Sequence, residues 1–416
     1  MGMIKKFGIT TIFAASIGVC ASVSSAETVK IAFIDPLSGA FAPSGTMGLS
    51  EFTHAADYLI NSKGGVLGGQ EMEIIGFDNK ISPKESLIQL QVVIDQGIRY
   101  IAQGNSSGVA NALTDAVNKH NRRNPDNRIL FLNYSAVDPA LTNDKCNFWH
   151  FRFDANADMK MDALTDVMKK NEDFKKVYLI GQDYSFGKAV AAAAVKNLSE
   201  KRPDIEFVGN ELHPINKVKD FTPYARKIVA SGADAVITGN WGADMVGLGK
   251  AIVEAGFSGP IFTYYGASTG ITKAFGAAGK GSLYVVGEGS MNPPVSDAMS
   301  AYVDAFEAKY GEHDNFQPRI ANVIEMLARA INDAGTATDV VKVAYALEGM
   351  KHDSIFGGQV YMRPDDHQAI QNIDIAVHTN EGIRHPFDNS EYGLYMKDEV
   401  VMASADSATT CKMKRP

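Results

Sequence analysis

The sequence predicts an α/β protein built from two successive units of parallel sheet with crossover helices. Short apolar strand-like runs alternate with amphipathic helix-like segments. The alternation restarts after Phe153, and no long Pro/Gly/Ser linker separates the halves. The chain is long enough for each half to bury its own core.

The elements follow in order. "VKIAFID" (29–35) reads as a strand, "PLSG" as a turn, and Phe52, Ala55, Ala56 and Leu59 as one face of a helix. "KGGVLGGQ" (63–70) lacks the Lys-Ser/Thr ending of a phosphate loop and fits a helix end followed by a tight turn. "MEIIGFD" (72–78) leads to a helix that Ser82 can cap, with Pro83 at its first position and Glu85 completing a capping box. "RYIAQ" and "RILFLN" flank the next helix. In the second unit the strands are "KKVYLIG", "IEFVGNEL", "ADAVITG" and "PIFTYY", with helices from about Phe186, at 221–232 and at 242–256. From Asp297 the chain turns helical and finishes in short strands such as "GGQVYMRP" and "NIDIAVH", too little for a third core; this material is expected to complete the first two lobes.

Lys5 and Lys6, the apolar run Phe7–Val19 and small residues at Ser24 and Ala26 have the plan of a secretory signal cut after Ala26. The run is too short to span a membrane. Without those two lysines, 48 acidic residues outnumber the 38 remaining basic ones, about −10 in all, which argues against nucleic acid and anionic lipid as partners. Of three cysteines, Cys20 leaves with the signal. Cys146 and Cys411 are then an even pair in an oxidising compartment, expected to tie the C-terminal tail to the body; two unpaired thiols are the alternative.

Gly104–Gly108 of "QGNSSGV" matches the Gly-x-Ser-x-Gly of a hydrolase nucleophile elbow and lies between a strand and a helix. No glycine-rich oxyanion segment follows an early strand, so a secreted serine hydrolase is the weakest reading. Ser106 or Ser107 can instead cap the helix bearing Val109, Leu113, Ala116 and Val117. Free amides, a positive dipole end and two hydroxyls at a strand's carboxyl end also make a seat for a carboxylate or phosphate. "DANADMKMDALT" (154–165) starts like a calcium loop, but Met159 replaces the needed Gly and Thr165 the bidentate Glu; it reads as a polar lead-in to a helix. "PDDHQ" (364–368) reads as a turn rather than a metal site. No cofactor, metal or catalytic residue is expected.

"PLSG", "KGGVLGG", "FDNKISPKES", the Ser106-Ser107 turn, "AVDPALT" (136–142), "QDYSFGK" and "ADAVITGNW" together resemble, in order and spacing across the mature chain, the leucine/isoleucine/valine-binding type of periplasmic substrate-binding proteins of ABC transporters. The resemblance implies a type I fold: two Rossmann-like lobes joined by three crossings, placed near Phe153, Gly287 and Gly357. Lobe I is then 27–153 plus 289–357, and lobe II is 154–288 plus 358–416. It implies a ligand carboxylate held by Ser106 and by backbone amides across Ser135, Ala136 and Val137, with Ser107 as a cap that can also touch the ligand. An ammonium would be held by the carbonyl near Ser135 and a lobe II acid, with Phe186 and Trp241 closing over the ligand. Two departures bear on the ligand: Val137 stands where the family has Thr, and Tyr265 where it has the acid. Asp183, Asp244 and Glu288 are possible substitutes for that acid, and Tyr184, Tyr264 and Tyr265 add rings. The implied function is periplasmic capture, by a monomer, of an amino acid or another small aromatic or aliphatic carboxylate for a membrane permease. A ligand-sensing receptor domain is the alternative.

Overall fold

The computed structural model describes residues 1–3, 28–311, 314, 317–400 and 406–416. The expected signal segment lies almost wholly outside them. The strands are β1 (Val29–Asp35), β2 (Met72–Asp78), β3 (Tyr100–Gln103), β4 (Leu130–Asn133), β5 (His150–Arg152), β6 (Lys176–Gln182), β7 (Glu206–His213), β8 (Ala235–Thr238), β9 (Ile261–Thr263), β10 (Leu283–Gly287), β11 (Lys351–Asp353), β12 (Gln359–Met362), β13 (Ala369–Ile370), β14 (Ile373–Thr379) and β15 (Gly393–Val400).

Two doubly wound sheets result. The first is parallel, in the order β2-β1-β3-β4-β5. The second runs β15-β14-β10-β9-β8-β6-β7, with β14 alone reversed and so antiparallel to both β10 and β15. The central strands are buried throughout because helices cover both faces, as β4 shows with all four residues buried. Local signals also work as the sequence suggests. Pro83 starts its helix and Ser82 Oγ accepts the Glu85 N–H at 3.3 Å. Asn156 caps the helix Ala157–Lys169 through the Met159 N–H, so the calcium-like stretch is a helix start. No helix among the described residues is long and apolar enough to cross a membrane.

The chain leaves the first core after Phe153, joins the second at Ala155, and returns between Val286 and Met291. The expected third crossing at Gly357 is displaced. Val360, Met362 and Ala369 pack in the first core, and the Arg152 N–H donates to the His367 carbonyl at 2.9 Å. The chain passes to the second lobe only at Ile370–Ile373. Gly357 and Gly358, at φ 90° and 72°, turn the β11–β12 hairpin instead of forming a hinge. The tail assigned to lobe II also returns to lobe I, where Cys411 is disulfide-bonded to Cys146.

Candidate functional site

The carboxyl ends of the first sheet's strands build one wall of an interlobe cleft. Asp35, the last residue of β1, is fully buried and accepts the Gly104 N–H at 3.1 Å, the Asn105 N–H at 3.0 Å and the Tyr134 hydroxyl at 2.6 Å. Gln103 Nε2 adds 3.4 Å to Asp35 and 2.6 Å to the Asn105 carbonyl. Burial, opposed by these bonds, pushes Asp35 up to about 7. Gly104 is required by close approach, since a Cβ there would lie 2.7 Å from Ser135 Cβ and from the Tyr134 ring.

The pinned loop delivers Ser106 at φ 80° and ψ 110°, a conformation costly for a residue with a side chain. The expected capping role is corrected here. Ser106 precedes the helix Ser107–Arg123 but its hydroxyl makes no cap bond, and Ser107 Oγ accepts the Asp138 N–H at 3.2 Å. Ser106 instead lines the cleft.

A second correction concerns Ser135–Val137. Asn133 Oδ1 already takes the amides of Ser135 at 3.2 Å and Ala136 at 2.8 Å, which leaves Val137 as the amide of the three free of that side chain. The Ser135 carbonyl, the expected ammonium acceptor, receives the Tyr265 hydroxyl at 2.9 Å.

Opposite stands an aromatic wall. Trp241 Nε1 donates to the Tyr184 hydroxyl at 2.9 Å, and Phe41 of lobe I meets the Trp241 ring edge-on at 4.5 Å, so the lobes are closed on each other. Phe186 lies 5.9 Å from Tyr265. Tyr264 donates to the Ala157 carbonyl at 2.7 Å and sits outside the cleft.

Ser106, Ser107, Ser135, Ala136, Val137, Tyr184, Phe186, Trp241 and Tyr265 all line one cavity of about 400 Å³, including its solvent-open part. Sequence reasoning missed Ser44, Asn105, Ser268 and Gln317, which also line it. Ser44 was within reach, five residues after the "PLSG" turn that follows a strand; Ser268 and Gln317 carry no local signal. Among the described residues, no Asp, Glu, Lys or Arg lines the space. Asp183 instead pairs with Lys188 at 3.1 Å on the surface, and Asp244 accepts Gln182 Nε2 at 2.8 Å and the Asn216 N–H at 3.0 Å.

Behind Tyr265 lies a buried four-charge cluster. Lys160 Nζ is 2.6 Å from Asp154 and 2.9 Å from Glu288, and 5.1 Å from the centroid of the Tyr265 ring. Arg319 reaches Glu288 at 3.0 Å, Ser135 Oγ at 2.9 Å and Gln317 Oε1 at 2.8 Å. Burial raises Glu288, but Lys160 and Arg319 outweigh it and hold the carboxyl well below its usual range. Glu288 therefore already carries the protein's own ammonium.

The model of the periplasmic binding protein family matches residues 28–382. The chain is 31% identical over 407 residues to "Leu/Ile/Val-binding protein homolog 4" of Brucella abortus (strain 2308), covering 95% of each. The structure is similar to the crystal structure of a leucine-, isoleucine-, valine-, threonine- and alanine-binding protein from Brucella ovis in its closed conformation, with TM-score 0.82, 29% identity, and 94% of this chain and 100% of that one covered. It also shares its fold with an ABC-transporter solute-binding protein from R. palustris in complex with benzoate, at TM-score 0.78 and 19% identity, covering 92% of this chain and 99% of that one. With more than four-fifths of its length matched, the chain belongs to the periplasmic binding protein family.

Proposed function

We propose that the protein is the periplasmic solute-binding component of an ABC importer, capturing a branched-chain-type amino acid or a related small carboxylate in the interlobe cleft. The carrying observation is the unbonded Ser106 hydroxyl beside the amino end of a 17-residue helix, facing a ring-lined wall on the other lobe. The hydroxyl, the Val137 amide and the dipole end favour an anion, and Phe186 and Trp241 cover an apolar body. Lobe closure holds the ligand, and the closed form docks on a permease. The names of the Brucella relatives support the amino-acid branch.

A second reading, a carboxylate lacking an α-ammonium, is favoured by one observation: among the described residues no acidic side chain lines the cleft, and Tyr265 occupies the Ser135 carbonyl. An ammonium enclosed there forgoes a charge-assisted bond of about 1.5–3 kcal/mol.

Titration calorimetry of the mature chain with leucine, valine, isobutyrate, benzoate and 4-hydroxybenzoate separates the two. Saturable binding of at least one, weakened about tenfold or more in Ser106→Ala with the melting temperature unchanged, is the expected result. Leucine or valine binding with no acid bound sinks the second reading. Ester hydrolysis lost in Ser106→Ala sinks both.

A further inference from the structure

A second cavity opens on the hinge side of Tyr265, about 560 Å³ including its solvent-open part. Tyr265 and Asp374 reach it from lobe II, while Met291 and Pro318 reach it from lobe I. Ile373 and Ile375 pack into the second core, so alternation along β14 turns Asp374 to the opposite face, into this space.

Asp374 is only 6% exposed, and no described residue gives its carboxylate a hydrogen bond or an ion pair. Its directly opposite neighbour on β15 is another carboxylate, Glu399. Like charges in register repel, and an unpaired buried carboxylate is costly. Glu288 also borders the cavity, but Lys160 and Arg319 neutralise it. Arg319 is consumed by Glu288, Ser135, Gln317 and the Tyr134 carbonyl. Among the described residues, no cation is thus left within ion-pair distance of the Asp374 carboxylate. Burial, with Glu399 and Glu288 adding to it, pushes Asp374 up to about 7, the response of a carboxylate lacking a cation.

Arg319 and Ser290 also line the cavity but are bonded elsewhere, and the other side chains are apolar or aromatic, with Phe387, Met291 and Leu394 lining it alongside Tyr265. A metal ion needs several converging oxygens; among the described residues the one cluster close enough is Asp304, Glu307 and His385, elsewhere. A carboxylate among rings and aliphatic side chains suits an organic cation.

We propose that this cavity is a second binding site, separate from the carboxylate cleft, for a small primary ammonium with an apolar body, its charge on Asp374 and its body against Tyr265, Phe387 and Met291. Because its walls come from both lobes, an occupant stabilises the closed arrangement.

The test is calorimetry of the mature chain with isobutylammonium chloride at millimolar concentration and about pH 8, where Asp374 is ionised. Sodium chloride and the near-isosteric isobutanol are controls. Expected is saturable one-site binding to wild type and to Ser106→Ala, weakened about tenfold or more in Asp374→Asn, and none with isobutanol. Absence of saturable binding to wild type, equal binding of isobutanol, or unchanged affinity in Asp374→Asn overturns the proposal. The alcohol comparison uses wild type and so does not depend on the variant folding. Loss of amine binding in Ser106→Ala places the amine in the main cleft and also overturns it. Failure of the carboxylate reading leaves every arm interpretable, since none contains a carboxylate ligand.

Discussion

Asp35 fixes the geometry of Ser106 without touching the cleft. Its two oxygens collect the Gly104 and Asn105 amides and the Tyr134 hydroxyl, and this pinning offsets the cost of the left-handed Ser106. In Asp35→Asn one of those oxygens becomes a donor facing donors, so the loop loosens. Ligand affinity in the variant is expected to fall about tenfold, checked by calorimetry; unchanged affinity removes Asp35 from the positioning role. The pH dependence has a definite sign. Burial raises the folded pKa from 3.8 to about 7, so the folded state keeps a proton that the unfolded chain releases. Asp35's contribution to stability is therefore full below about pH 4 and is lost as pH rises to about 7. Urea unfolding across that window is expected to show a shallower loss in Asp35→Asn than in wild type. None of this was legible from "VKIAFID", because Asp35 finds its donors only when β1, β3 and β4 lie side by side.

At the scale of elements, whatever is written in short-range chemistry was readable. Ser82 and Pro83 start a helix, and apolar runs such as Leu130–Asn133 become central strands. Strand β15 was missed because "GLYMKDEV" is an edge strand whose buried face is incomplete, leaving no apolar run. The crossing that the resemblance implied near Gly357 falls later for a related reason: only the apolar faces of Val360 and Met362 decide which core the hairpin joins. The tail is held by the Cys146–Cys411 bridge, by Thr409 on the Thr142 carbonyl at 2.9 Å, and by Arg415 on Glu348 at 2.8 Å. Replacing both cysteines with serine frees a closed loop whose ends are 265 residues apart. Stability is expected to drop by about 2–5 kcal/mol, read as a lower urea midpoint, with ligand affinity unchanged because the bridge is remote from the cleft.

For the whole molecule, a buried charge cluster bridges the crossings. Lys160 and Asp154 belong to the start of the second lobe, Glu288 to the second crossing and Arg319 to the first lobe's last long helix. Lys160→Met leaves two buried carboxylates with Arg319 alone, and breaking such a cluster is expected to cost about 3–5 kcal/mol by urea unfolding. Solution scattering should also show a larger radius of gyration for this variant at saturating ligand; wild-type dimensions would separate the cluster from closure. By itself the sequence predicted the α/β class, the two-unit plan and an even cysteine pair, and the family resemblance pointed to nine of the residues around the cleft, because strand periodicity and motif order are local properties of the chain. The tertiary structure alone decided that Asn133 consumes the Ser135 and Ala136 amides, that Tyr265 takes the Ser135 carbonyl, and that Glu288 carries Lys160. Those outcomes are contests for hydrogen-bond partners among residues far apart in sequence, and they are settled only when packing brings the competitors within about 3 Å of one another.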